Sequence, residues 1–150
     1  MYKLDEKDIG ILDLLKENAK YSMNKIARKT GIPLATVHHR IKKLEKDEII
    51  KKYTINLNKE KLGRGMVAYI LVNVVYPPGK HIDQSALLKK ISKNDYVEDA
   101  SILAGDTDII LKVRIPSIEE LNKLLLQELR NTEGVGETKT LISLENIEKL

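Results

Sequence analysis

Between Ser22 and Lys46 a small residue, Ala27, is followed four positions later by Gly31, and then by Val37 and Ile41. Few backbones accept that order. The alanine lets two helices approach at a steep angle, the glycine supplies a left-handed turn, and two β-branched residues anchor the second helix from beneath. The spacing predicts a helix-turn-helix whose second helix runs from Leu34 to about Lys46, with Val37, Ile41 and Leu44 at i, i+4 and i+7 facing inward. Ser22 is the start signal for the first helix of the pair. A preceding helix is predicted from Glu6 to about Asn18, with Asp5 as N-cap. Its apolar stripe is either Ile9, Leu12 and Leu15 or Ile11, Leu14 and Leu15.

Once the inward residues of the segment Leu34–Lys46 are assigned, Leu34, Ala35, Thr36, His38, His39, Arg40, Lys42 and Lys43 fall mostly on outer faces. A helix of this kind meets base edges with its N-terminal residues and phosphates with its later basic ones. Ala35, Thr36, His38 and His39 are therefore expected on bases of double-stranded DNA. Arg40, Lys42, Lys43, Arg28, Lys51 and Lys52 are expected on its backbone. Charge agrees with this division. Residues 1–64 hold 16 basic and 9 acidic side chains, net +7, and the remainder hold 10 and 13, net −3, together the +4 of the chain. A basic half joined to an acidic half is suited to meeting a polyanion with one part only. The alternative is an ordinary helical pair whose charged residues face water. His38 and His39 do not suggest a metal site, because adjacent helical residues diverge by about 100°, and His81 lies in the other half.

After the third helix the period changes. Ile50 to Leu57 alternates as a half-buried strand, and the charged, glycine-bearing run Lys59 to Gly65 reads as a hinge. Strands are then predicted at Val67–Val75, Val97–Leu103, Ile109–Ile115 and Thr138–Ile147. In the third of these, Lys112 and Arg114 alternate with apolar residues, so one face should be wet. Helices fall between them: one opened by Asp83, and one opened by a Ser117–Glu120 capping box and carrying Leu121, Leu124, Leu125 and Leu129. The expected class is α+β, with a three-helix, winged-type helix-turn-helix domain over residues 1–50. A linking strand and hinge follow over 51–65, and a ferredoxin-like βαββαβ domain over 66–150.

Composition narrows the function. With 42% apolar and 32% charged residues, and no run of roughly 18 apolar residues, the chain is expected to be globular rather than membrane-spanning. The absence of cysteine excludes disulfides and thiolate zinc sites and, with no secretory signal at the N-terminus, suggests the cytoplasm. Abundant Lys and Ile resemble proteins from hot habitats. Against an enzyme, there is no nucleophile elbow and no phosphate-binding loop. Gly63-Arg64-Gly65 and Gly134-Val135-Gly136 fall short of a dinucleotide fingerprint. No cofactor is expected.

The chain resembles the Lrp/AsnC regulators, also called feast/famine regulatory proteins. The residues that carry the resemblance are Leu4-Asp5 with Asp8 and Ile11-Leu12, Ile26-Ala27, Gly31, Thr36-Val37-His38 with Arg40-Ile41, Leu44-Glu45 and Ile49-Ile50. Further on they are Gly105-Asp106-Thr107-Asp108, and Gly134-Val135 followed by Thr138-Lys139-Thr140. The resemblance implies a DNA-binding transcriptional regulator that dimerises, often into octamers, through its C-terminal domain and senses an amino acid between subunits. It places the effector near the loop Gly105, Asp106, Thr107, Asp108, with Asp108 holding the ligand's amino group and Thr132, Thr140, Leu141 and Ile142 near the same pocket. Read from the residues alone, that loop is either an ammonium site or a plain turn. There are departures from the family pattern. Pro33 stands where a serine cap is usual, Ile109 where an aromatic is common, and Glu133 where proline often precedes Gly134. An architectural DNA-compacting protein without effector response is the alternative function.

Overall fold

The computed structural model describes residues 3–147. The chain divides between Leu57 and Asn58 into two compact units.

The first unit holds helices α1 (Glu6–Glu17), α2 (Met23–Thr30) and α3 (Leu34–Lys46). Asp5 starts α1 through a reciprocal box: its carboxylate accepts the Asp8 amide at 2.8 Å, and the Asp8 carboxylate accepts the Asp5 amide at 3.3 Å. Ser22 Oγ accepts the Lys25 amide at 3.2 Å, and α2 stops at Gly31, whose φ of 69° suits a residue without Cβ. Of the two stripes open to α1, the second is used: Ile11 is buried with Leu14 and Leu15 against it, and Ile9 is exposed. Ile11, Ile26, Ile32, Val37 and Ile41 form the core, and Leu44 is buried as well. Each such side chain contributes about 1.5–3 kcal/mol, so this small unit rests on few residues.

The strand expected over Ile50–Leu57 does not form. After α3 the chain passes through a turn and runs without a ladder partner, with Tyr53, Ile55 and Leu57 exposed, Ile55 by 70%. The alternation is present in the sequence, but a strand needs a hydrogen-bonded neighbour and a covered face, and the single chain provides neither. The expected hinge also differs. Residues 58–65 fold into successive turns closed by Leu62 and Arg64 amides on Lys59 and by the Gly63 amide on Glu60. Lys59 pairs with Glu98, and Arg64 donates to the Asp95 carbonyl at 3.2 Å.

The second unit is a four-stranded antiparallel sheet built from β1 (Met66–Val74), β2 (Val97–Ile102), β3 (Ile109–Ile115) and β4 (Val135–Ile142), in the order β2-β3-β1-β4. Helix α4 (Gln84–Ile91) connects β1 to β2, and α5 (Ile118–Lys123) connects β3 to β4. Alternate residues Ala68, Ile70, Val72, Ile109, Leu111, Val113 and Ile115 pack with Leu87 and Ile91 of α4 and with Leu121, so both helices cover one face. This is the expected split βαββαβ arrangement. Beyond Lys123 the helix widens to π geometry over Leu124–Leu129. The widening brings Leu124 and Leu129, five residues apart, both into the core; a regular α-helix would separate them by about 140°.

Three details of this unit differ from the sequence expectation. Arg114 is only 7% exposed, because its guanidinium Nε donates to Glu98 at 2.8 Å and Lys112 also approaches that carboxylate at 3.6 Å; this end of the face is not wet. Strand β4 ends at Ile142 rather than Ile147, since its partner β1 begins at Met66, and after the Ser143 amide bonds Val67 no further neighbour remains. It also starts earlier, at Val135, across an irregularity between Val72 and Val74. Gly136 permits that irregularity: a Cβ there would lie 2.8 Å from the Asn73 carbonyl oxygen and 2.4 Å from Val75 Cγ2. At α5, Ser117 Oγ accepts the Glu120 amide as expected, while the Glu120 carboxylate takes Lys123 and the Tyr96 hydroxyl.

Candidate functional site

Val37, Ile41 and Leu44 fix the rotation of α3 about its axis. At about 100° per residue, the direction opposite this buried stripe is occupied by Ala35, His39, Lys42 and Lys46, flanked by Lys43, His38 and Thr36. All of these are exposed except Thr36, which is half-buried. Lys43 and Lys46 stand in the last turn, where the helix dipole favours cations. Pro33 has no side-chain acceptor to cap the helix, so the amides of Leu34, Ala35 and Thr36 face outward without a side-chain cap. Arg28 on α2 and Lys51 and Lys52 beyond α3 are exposed. Lys46 was missed by reading the sequence as a list of non-core positions; the same rotation, followed one turn further, finds it.

Arg40 departs from expectation. It lies about 60° from the buried stripe, close enough to reach the start of α1, and its Nη1 donates to Asp5 and to Asp8, each at 2.7 Å. The Asp8 and Asp5 hydrogen bonds raise the guanidinium pKa further, and the Asp5 carboxyl is lowered by the Asp8 amide and then by Arg40. Arg40 thus fastens α3 to α1 and is withdrawn from the set expected on phosphates.

In the second unit, Gly105, Asp106, Thr107 and Asp108 lie in the β2–β3 loop, which the Leu103 amide closes on the Asp108 carbonyl at 2.7 Å. Asp108 is partly buried. Its Oδ2 accepts the Val74 amide at 2.7 Å and its Oδ1 accepts Gln84 Nε2 at 3.3 Å. Thr132 precedes β4 at the same end of the sheet, and its hydroxyl donates to the Glu128 carbonyl at 2.8 Å. Thr140, Leu141 and Ile142 are elsewhere: they pair with Ile70, Tyr69 and Ala68. From strand spacing and rise, Thr140 is about 14 Å from Asp108. One chain therefore does not gather all eight residues expected at an effector. Gln84, which no spacing in the sequence connects to Asp108, joins the site instead. Glu133 pairs with Lys80, which lowers its carboxyl pKa.

Among the described residues, no three histidine or acidic side chains gather as a metal ion requires, and no helix is long and apolar enough to cross a membrane.

Comparison with known proteins places this geometry. Residues 4–51 match the family described as winged helix-turn-helix DNA-binding, and residues 68–149 match the Lrp/AsnC ligand binding domain. An uncharacterised helix-turn-helix transcriptional regulator of Pyrococcus furiosus is 39% identical over 97% of this chain and 96% of its own. The transcriptional regulator FL11 of the same organism is 34% identical over 95% of this chain and 90% of its own. The solved structure of Escherichia coli AsnC superposes with a TM-score of 0.88 at 28% identity, covering 99% of this chain and 98% of that one. Both Pyrococcus relatives are named as transcriptional regulators, not enzymes. With a helix-turn-helix that binds DNA and a ligand-binding domain of matching fold, the chain belongs to the Lrp/AsnC family of transcriptional regulators.

Proposed function

We propose that the protein binds specific DNA sequences through α3 and that an amino acid, held between C-terminal domains of a homodimer or higher oligomer, modulates that binding in the cytoplasm. One observation carries the DNA reading: the side of α3 opposite its buried stripe presents Ala35, His39, Lys42 and Lys46 to solvent. Ala35, Thr36, His38 and His39 meet base edges in the major groove, while Lys42, Lys43, Lys46, Arg28, Lys51 and Lys52 neutralise phosphates. The uncapped amides of the first turn of α3 favour an anionic oxygen at the same place.

The effector reading is supported by Asp108, a partly buried carboxylate just before β3 that reaches the end of β1 and has lone pairs left for an ammonium group. The separation of Thr140, Leu141 and Ile142 from Asp108 within one chain fits a pocket completed by a second subunit. Two recognition helices in a dimer then meet major grooves one helical turn apart, or a multiple of it. Effector and DNA influence each other by the same factor in both directions. The architectural alternative lacks support among the relatives, which are named as transcriptional regulators.

Selection of the genomic fragments that the purified protein retains, repeated with each of the twenty amino acids, tests both parts. Enrichment of a shared motif by about 10³-fold over random DNA, altered by one amino acid, is the expected result. Equal retention of all fragments refutes sequence specificity, and indifference to every amino acid refutes the effector reading.

A further inference from the structure

We infer that Gln84 is the positioning residue of the effector site, holding the Asp108 carboxylate in place without neutralising it and so making the site selective for a primary ammonium group. This rests on the reading of Asp108 as the effector's anchor. Among the described residues, other partly covered carboxylates face cations: Asp8 faces Arg40, Glu98 faces Lys59 and Arg114, and Glu120 faces Lys123. Asp108 does not. Among the described residues it makes no ion pair, and its two side-chain partners are the neutral Val74 amide and the neutral Gln84 carboxamide.

Each partner is itself fixed. Val74 is the end of β1, just past the last β1–β3 pair, Val72 with Ile109, so Asp108 Oδ2 extends that ladder by acting as a carbonyl. Gln84 is the first residue of α4, and its backbone is set by Asp83, whose Oδ1 accepts the Ser85 amide at 2.8 Å and the Ala86 amide at 3.3 Å. Both protons of the Gln84 carboxamide are employed: Nε2 donates to the Tyr76 hydroxyl oxygen at 2.8 Å as well as to Asp108 Oδ1. The carboxylate is therefore gripped at both oxygens, which suppresses its rotation. An ionised carboxylate accepts along about four lone-pair directions; two are used, and two remain with the full negative charge behind them. A primary ammonium group supplies two N–H donors and the matching charge. A hydroxyl in its place supplies one donor and none.

The test uses the full-length protein and its Gln84→Leu and Gln84→Lys variants. Without effector, hydrogen exchange at the Val74 amide is measured beside that of Ile70 and Leu111. Losing the Gln84 donor frees the carboxylate, so Gln84→Leu is expected to speed Val74 exchange about ten-fold, the worth of one hydrogen bond to a charged group, with the two core amides unmoved. Titration calorimetry then compares each of the twenty amino acids, and the α-hydroxy analogue of any that binds. Wild type prefers the amino form. Gln84→Leu lowers that preference about ten-fold by the same bond and leaves the hydroxy acid as it was. Gln84→Lys keeps Val74 protected but abolishes the preference, because its ammonium occupies the charge. Unchanged Val74 exchange in Gln84→Leu overturns the positioning role. Equal loss for amino and hydroxy forms overturns the selectivity. If Val74 responds but no amino acid binds wild type, the effector reading fails while the positioning role stands. Should Gln84→Leu lower the melting temperature, Tyr76→Phe removes one anchor of the same carboxamide and is expected to shift Val74 exchange in the same direction; no shift there overturns the proposal.

Discussion

Replacing Lys42 and Lys46 with alanine removes two cations from the side of α3 that points away from its own core, whereas replacing Arg40 removes one that is turned back onto α1. The two changes should separate in a salt titration. Each phosphate contact adds about 0.9 to the slope of log affinity against log salt, so the lysine pair accounts for about 1.8 per bound chain. Raising salt fourfold, from about 50 to about 200 mM, then costs wild type about 12 times more affinity per chain than it costs the double variant. Arg40→Ala should leave that slope where it is. Its effect belongs to folding: losing the bond to Asp5 and Asp8 loosens α3 from α1 and lowers the melting temperature by a few degrees. The assay is fluorescence anisotropy on one labelled duplex at five salt concentrations, with thermal denaturation of each variant alongside. A slope flattened by Arg40→Ala by about 0.9, as a single phosphate contact would require, with its stability unaltered, would show that the ion pair is not held in solution. The assignment of faces on α3 would fall with it.

Three further outcomes are expected. Glu48 closes α3 at φ 55°, in the left-handed region that favours glycine, with the Ile50 amide bonded to the Leu44 carbonyl; Glu48→Gly should therefore stabilise the protein by about 0.5–1 kcal/mol in urea denaturation. Gly136→Ala places a methyl group 2.8 Å from the Asn73 carbonyl and against Val75, and should cost about 1–3 kcal/mol by the same measurement. Burial raises the Glu98 carboxyl pKa, but hydrogen bonds from Lys59 and Arg114 outweigh it and leave it below the usual 4.5. A depressed folded value means stability that is present above pH 4.5 and lost as pH falls through that folded value. Glu98→Gln should cost about 1–3 kcal/mol at pH 7, the worth of the charged hydrogen bonds it weakens, and its deficit against wild type should close as acid protonates Glu98; a deficit independent of pH refutes the ionic account.

Local chemistry in the sequence determined the elements. The caps at Asp5, Ser22, Asp83 and Ser117 and the stripes through Ile26, Val37 and Ile41 involve groups a few residues apart, so their pairing can be read from local spacing alone. The alternation in β3 likewise foretold that Ile109, Leu111, Val113 and Ile115 face the core, though not that Arg114 is covered as well. Contacts across long separations were decided by tertiary structure. Arg40 lies 35 residues from Asp5, and a helical rotation alone does not say that α1 begins beside it. Gln84 and Asp108 meet only because β1, α4 and β3 bring their ends to one side of the sheet. The alternation at Ile50–Leu57 failed to become a strand for the converse reason: a period of two prepares a face, and only a neighbouring strand can use it. Periodicity is a property of the chain, whereas partnership is a property of the packing.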